Sequence, residues 1–513
     1  MEHHGSESYF VLGEGLLGES VGGRDRALTA SVEAAAPPFR FTRLGPKGKQ
    51  LGTAALEKVA NAMIRARGRA SGIPAGFTYL GQFVDHDLTF DKTKVTLGER
   101  VTPAQLVQAR SPSLDLDSLY GAGPQDPVSA RFYSDDRHLK MGRTDPIGPD
   151  RAREGFDLPR GAGRTAAAKR RALIPDPRND ENLAVAQSHL AFIRFHNRVV
   201  DTLPASVPPA QRFTQAREIV VKHYQWMLRH DYLPRICAPG VVGDVFRNGR
   251  KAFEVGASPT DVPTMPLEFS VAAFRLGHSM VRQDYNWNRR FDNGEGILEL
   301  LFEFSGGSGT LGGGRRLISN WIADFRRLYD FEEAGRADLV VPAAKFNRAM
   351  RIDTALVRPL ATLPGLPRAA DNLAFRNLVR ARMLRLATGQ QMARFLRSKG
   401  VSLTGLTRPQ VRNGRNGADL DVLTRAQRDA FLKDTPLWFY ILREAELGGG
   451  KLQGVGARLV AEVFHRAMEG SEFSIVRDPG WRPSLGPDST TFRMVDLLLF
   501  AGRGKKAMIA PLG

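Results

Sequence analysis

Gly76-Phe77-Thr78-Tyr79-Leu80-Gly81-Gln82-Phe83-Val84-Asp85-His86-Asp87 holds more chemistry than an apolar helix needs. Helical spacing sets Gln82 and His86 on one face, with Asp85 beside them. Two carboxylates flanking a histidine in an otherwise apolar segment are costly to bury unless each finds a partner. Taken alone, the stretch fits an ordinary helix end, a metal site or a histidine satisfied within a core.

Three further stretches share this mixture. Asp176-Pro177-Arg178-Asn179-Asp180-Glu181 runs directly into a predicted helix beginning at Asn182. Asn179 or Asp180 can cap that helix, and Glu181 falls in its first turn, where negative charge is favoured. Capping leaves Arg178 unexplained, because a cation is unfavourable at a helix N-terminus; an arginine there is suited to an anion, a carboxylate or an oxygen-bound intermediate. Glu268 to Val281 (EFSVAAFRLGHSMV) surrounds His278 with small and apolar residues. Gly277 leaves its flank bare, so a large flat ligand could approach closely; a satisfied structural histidine is the plainer alternative. In Leu373 to Arg380 (LAFRNLVR), Asn377 sits inside an apolar helical pattern. An asparagine there is either hydrogen-bonded to something specific or on a helix surface.

Around these stretches, helical periodicity predicts helices over 182–203, 209–232, 262–283, 371–397 and 454–469, with Gly/Pro breaks between them. Strand-like alternation is scarce, so the fold class is mainly α. Residues 1–50 read as an extended N-terminal arm and 51–513 as one large catalytic domain, with connectors at 143–163 and 402–417 as surface excursions. Gly306 to Gly314 (GGSGTLGGG) is a loop, and no Lys-Ser/Thr pair follows it to make a phosphate loop.

The 513 residues suffice for a large core. The net charge of +19 is dispersed among acids, with one tight basic cluster at Arg164 to Arg171 (RTAAAKRR), which argues against a specific nucleic-acid partner. No apolar run is long enough to span a membrane. The single cysteine, Cys237, excludes an intramolecular disulfide and reads as a packing residue near a helix end. With no visible signal peptide, a cytoplasmic location is the favoured expectation.

In the order Gln-x-x-Asp-His-Asp, Arg-x-x-Glu, Arg-x-Gly-His, Asn-x-x-Arg, the chain resembles the animal-type haem peroxidases of the peroxidase–cyclooxygenase superfamily, in a bacterial-like, disulfide-free form. The resemblance covers roughly residues 70–400. It implies a helical domain around a buried b-type haem, with His86 as distal histidine, Gln82 as distal glutamine, Arg178 as distal arginine and His278 as iron ligand. It further implies that Asn377 accepts a hydrogen bond from the proximal imidazole and that Arg380 meets a haem propionate. Asp85 and Glu181 match carboxylates that form ester links to haem, whereas Asn182 stands where one member has a sulfonium link. Calcium is implied as well, held by Asp87, Ser111, Ser113, Asp115 and Asp117, an oxygen-only set suited to a hard cation.

The activity so implied is reduction of hydrogen peroxide and oxidation of halide, thiocyanate or small organic donors through a ferryl intermediate. A haem-dependent fatty-acid dioxygenase is the alternative. Such enzymes place a radical-forming tyrosine three residues before the proximal histidine, where this chain has Arg275; Tyr285 lies on the other side of His278. A haem-binding protein without turnover is the rival from another class, and relatives of that kind usually lose the distal His or Arg, both present here.

Overall fold

The computed structural model describes residues 9–12, 15–17, 39, 41–91, 96–101, 106, 108–363 and 372–513. Its long elements are helices: α1 (Thr53–Arg65), α2 (Gly76–Leu88), α3 (Leu183–Thr202), α4 (Arg212–Met227), α5 (Leu373–Met383), α6 (Gly389–Ser398), α7 (Leu437–Leu447), α8 (Gly454–Glu469) and α9 (Met494–Ala501). Described strands are short, the longest being Ala70–Pro74. The mainly α expectation therefore holds. Within the first fifty residues, Tyr9–Leu12 pairs antiparallel with Gly15–Leu17 and parallel with Phe41–Thr42, which runs on parallel to Met265–Pro266.

Helix α2 lies at the centre of the core. All of its thirteen residues except Gly81 and Gln82 are buried. Phe83 stacks on Phe192 of α3 with centroids 4.4 Å apart, and Tyr224 of α4 stands edge-on to both rings. Such arrangements add to area burial by about 0.5–1.5 kcal/mol per pair. Neighbours approach α2 so closely that a Cβ at Gly76 would overlap the Tyr329 ring and one at Gly81 the Tyr232 hydroxyl. Further along, α5 packs on α1 and α7, α8 on α7, and α9 on α3, so the C-terminal helices join the same continuous core.

Periodicity located α3 and α8 closely, and α4 continues through wider turns at Leu228–Tyr232 into Leu233–Ile236. Cys237 follows this helix end, buried and unbridged, with its thiol pushed by burial up to about 12. Two expected helices are broken. Over 262–283 the chain forms the strand Met265–Pro266 and then separate short turns, Leu267–Ser270, Ala273–Leu276 and Gly277–Met280. Pro266 cannot donate to a helix, Arg275 Nε donates to the Ser270 carbonyl, and Ser279 Oγ donates to that of Leu276, so side chains take carbonyls that a regular helix would use. Over 371–397, whose first residue lies outside the described ones, the helix stops at Met383. Arg385 takes a positive φ of 50°, and Thr388 with Gln391 forms a reciprocal capping box that starts α6. The caps ahead of α3 also differ from expectation. Asn182 caps it, accepting from Val185 N–H, while Asp176 caps the short turn Pro177–Asp180; neither Asn179 nor Asp180 does so, because their side chains are drawn into the interior.

Gly76→Ala should cost about 1–3 kcal/mol through overlap with Tyr329, whereas Gly72→Ala, with open space at its Cβ, should change stability by less than about 0.5 kcal/mol. Equal denaturation midpoints for the two variants would refute this account of α2 packing.

Candidate active site

Helix α2 delivers Gln82, Asp85, His86 and Asp87, and each side chain is met by a different segment. His86 Nδ1 lies 2.8 Å from Asn179 Oδ1 and its Nε2 lies 3.1 Å from Glu181 Oε1. Both ring nitrogens therefore face acceptor oxygens, Nδ1 that of the asparagine carbonyl and Nε2 that of the Glu181 carboxylate. The Asn179 amide in turn donates to His189 Nδ1 at 2.9 Å. Burial depresses His189 to about 3, so that ring is neutral. Gln82 donates to Glu181 Oε1 at 3.1 Å and accepts from Asn182 Nδ2 at 2.9 Å.

Arg178 reaches back to the same helix. Its Nη2 donates to the carbonyls of His86 and Thr89 at 3.0 and 2.5 Å, and its guanidinium rests 4.3 Å from the Phe90 ring centroid. Nε and Nη2 also bond the two oxygens of Asp176 at 3.0 and 2.7 Å. Asp176 is fully buried and is gripped at Oδ2 by Arg110 as well, at 2.6 Å. Burial pushes the Asp176 carboxyl up, but the two arginines outweigh it and hold the group well below the usual carboxylate range.

His278 sits in the turn Gly277–Met280, which packs on α2. Thr78 of α2 reaches the Met280 carbonyl, and Tyr79 donates to the Tyr285 hydroxyl at 2.7 Å. Asp85 of α2 and Arg275, three residues before His278, form an ion pair at 3.1 Å. The Asn377 amide of α5 contacts His278 Nδ1 at 2.8 Å. The facing atom is Asn377 Nδ2; turning the amide by 180°, which exchanges its oxygen and nitrogen, would let Nδ1–H donate and leave the Nε2 lone pair free. Burial, aided by the charges of Arg275 and Arg376, lowers His278 to about 3 while Glu181 opposes the shift, so the ring is neutral at ordinary pH. The four sequence stretches thus meet in one region.

That region encloses space. Glu181 keeps 41% of its side chain accessible although protein surrounds it, and a Cβ at Gly277 would meet nothing within 4 Å. A bare glycine flank beside a neutral, desolvated imidazole suits a flat, iron-bearing macrocycle. A cationic edge completes the fit: Arg376 is shifted down by burial and by Arg275, and Arg380 pairs with Asp91.

The expected calcium residues lie at the far end of α2. Asp87 accepts from the Leu116 and Ser118 amides at 3.2 Å each. Burial, followed by the charge of Asp117, raises Asp87 to about 7. Leu116, at a φ of 59°, turns the chain between Asp115 and Asp117, while Asp115 accepts from Glu472 N–H at 2.9 Å. Ser111 and Ser113 are buried in the same loop. The donors suit a hard cation in type and charge, although among the described residues no three acidic, His or Cys side chains converge on one point.

Asp176, Arg110, His189 and the positioning role of Asn179 were not read from the sequence. The available signal was one of cost: a buried arginine and a histidine inside the apolar run of α3 each require a partner.

Residues 88–305 match the animal haem peroxidase family, a span that includes Arg178 and His278 but not His86 or Asn377. Over 188 residues the chain is 31% identical to thyroid peroxidase of Rattus norvegicus, covering 35% of this chain and 20% of that one. It is 35% identical to a peroxidase-like protein of Margaritifera margaritifera over 111 residues, 21% of this chain and 14% of that one. A longer match, 23% identical, spans 70% of this chain and 47% of heme peroxidase 2 of Caenorhabditis elegans. The chain thus spans less than half the length of these curated relatives. Among solved structures, peroxidase A from Dictyostelium discoideum superposes with a TM-score of 0.55 at 16% identity, covering 88% of this chain and 90% of that one. The fatty acid alpha-dioxygenase of Arabidopsis thaliana gives 0.60 at 14% identity, covering 90% and 77%. Both share the fold. Leu88 to Ser305, less than half of the chain, is the segment that matches the animal haem peroxidase family.

Proposed function

We propose that the chain is a haem peroxidase that reduces hydrogen peroxide and oxidises halide, thiocyanate or a small organic donor. The observation that carries this reading is a pair of imidazoles, His86 and His278, on elements packed against one another, each with Nδ1 beside an asparagine amide. In this reading His278 Nε2 holds the iron of haem b, and Asn377 keeps that ring oriented and electron-rich. Haem, when bound, supplies the redox chemistry. Arg376 and Arg380 offer cationic partners for its propionates. Glu181, with its accessible side chain, and Asp85 are the carboxylates that would form ester links.

His86 Nε2 would take the proton from one peroxide oxygen and return it to the other, while bound haem would supply the electrons for O–O cleavage. Asn179 keeps that nitrogen available, and Glu181 stands beside it to pair with the protonated ring. Arg178 bears on the negative charge that develops in this step. Its bonds fall on Nε and Nη2, which leaves Nη1 for the incoming anion. Gln82 adds a polar group suited to a halide or water. A fatty-acid dioxygenase gains no support at the position before His278, where Arg275 is committed to Asp85 and the Ser270 carbonyl. Asp87, Ser111, Ser113, Asp115 and Asp117 would hold calcium and stiffen the end of α2.

His278→Ala should abolish the Soret band of the cofactor-loaded protein. His86→Ala should keep it and slow peroxide reduction by about 10²–10⁴-fold; normal turnover in both variants would end the assignment. Asn179→Ala should retain full haem content yet lose about tenfold or more in the peroxide step, and an unchanged rate would remove Asn179 from the proposed machinery. Asp115→Ala should lower the calcium content measured by elemental analysis, and equal content in the variant and the parent chain would exclude the site.

A further inference from the structure

The basic cluster at Arg164 to Arg171 takes no part in the chemistry above, yet the fold places one end of it in a cavity of about 830 Å³. Three separate stretches build the walls. One is the hairpin of Gly142–Arg143 with Glu154–Asp157 and the chain that follows it, the second is the turn Ala166–Arg170, and the third is the pair Arg315–Arg316 after the glycine loop. Six basic side chains line the cavity against two acidic ones, Asp145 and Glu154.

The cations are not equivalent. Arg160 is committed to Asp157 and Asp180 and forms a neutralised wall. Lys140 donates to the Arg131 carbonyl, and Arg316 pairs loosely with Asp145 at 3.4 Å. The side chains of Arg143, Lys169 and Arg315 make no hydrogen bond or ion pair among the described residues. The apolar surface of the cavity comes from the half-buried Leu173 and from Met141, exposed to 41%, while Leu158 and Pro159 in the same lining are already buried. A hydrated inorganic ion would leave that apolar surface wet, whereas an apolar body laid on it gains roughly 25 cal/mol per Å² removed from water. The volume falls within the range of about 300–1,000 Å³ typical of small-molecule sites.

We propose that this cavity binds a small organic anion, its apolar body on Leu173 and Met141 and its charged head between Arg143, Lys169 and Arg315. The site is independent of the haem reading. Arg160 nevertheless joins its wall to Asp180, beside Glu181, so an occupant would lie against the segment that supplies Arg178.

Titration calorimetry of 1-naphthalenesulfonate into the full chain, with sodium sulfate as the apolar-free comparison, tests the assignment. The expected result is one saturable site for the naphthalene compound, weakened at least tenfold in the triple variant Arg143→Ser, Lys169→Ser, Arg315→Ser. Leu173→Ser should weaken naphthalenesulfonate severalfold and leave sulfate unchanged. The exposed triple Arg408→Ser, Arg412→Ser, Arg425→Ser should leave both unchanged. Absence of saturable binding, an unaltered affinity in the cavity variant, an equal loss in the distant variant, or sulfate binding as tightly as the naphthalene compound would each overturn the proposal.

Discussion

A single helix buries three consecutive polar groups and half-buries a fourth one turn earlier, and the surrounding fold supplies what water no longer can. Gln82, Asp85, His86 and Asp87 lie on α2, whose flanks are packed by Tyr329, Tyr232 and Phe192. A buried polar group without a partner costs about 1–3 kcal/mol and a charged one more. Partners come from well-separated parts of the chain: Asn179, Glu181 and Asn182 ahead of α3, Arg275 beside His278, and the amides of Leu116 and Ser118. The same bonds that satisfy α2 draw the four motifs together, so site assembly and core satisfaction are one requirement.

Arg178 illustrates how tightly this is coupled. A guanidinium at the mouth of a low-dielectric space needs a counter-charge, and Asp176 provides it. Asp176 is itself buried, and a lone carboxylate would not balance two arginines at equal distance unless both were fixed. Arg110 and Arg178 therefore hold Asp176 ionised together, both reaching its Oδ2, while the carbonyls of His86 and Thr89 fix the direction of Arg178. Breaking such a buried set by removing one member typically costs about 3–5 kcal/mol. The arrangement contributes less to stability than to defining a single orientation for the arginine.

Sequence reading reached those features whose physical signal is local. Helix α8 and most of α3 repeat apolar residues at helical spacing, and their limits are set by residues within one turn. The segment before His278 misled for a local reason of another kind: apolar periodicity is present, but Pro266, Arg275 and Ser279 divert the carbonyls that a helix would use. His86 and His278 stood out because a histidine among apolar residues is conspicuous. The link from His86 through Asn179 to His189 did not, because Asn179 is an unremarkable helix-start residue until the fold brings it under the His86 ring. Asp176 was hidden similarly, since its partner Arg110 lies 66 positions away.

Two chemically identical side chains end in different surroundings, and the difference is electrostatic. Burial and the charges of Arg275 and Arg376 act against a proton on His278, and the Glu181 carboxylate acts in its favour. A ring so placed offers a lone pair and keeps it. His86 has a carboxylate 3.1 Å from Nε2 and an asparagine carbonyl on Nδ1, so a hydrogen on either nitrogen meets an acceptor without any movement of the chain. Glu181 is the element that separates the two environments, because it bonds one imidazole directly and acts on the other only through space. A group meant to ligate must not be protonated, whereas one meant to pass a proton must tolerate both states. The fold achieves this division by setting Glu181 against His86, with Arg178 on that side held by Asp176, and by setting Arg275 and Arg376 near His278.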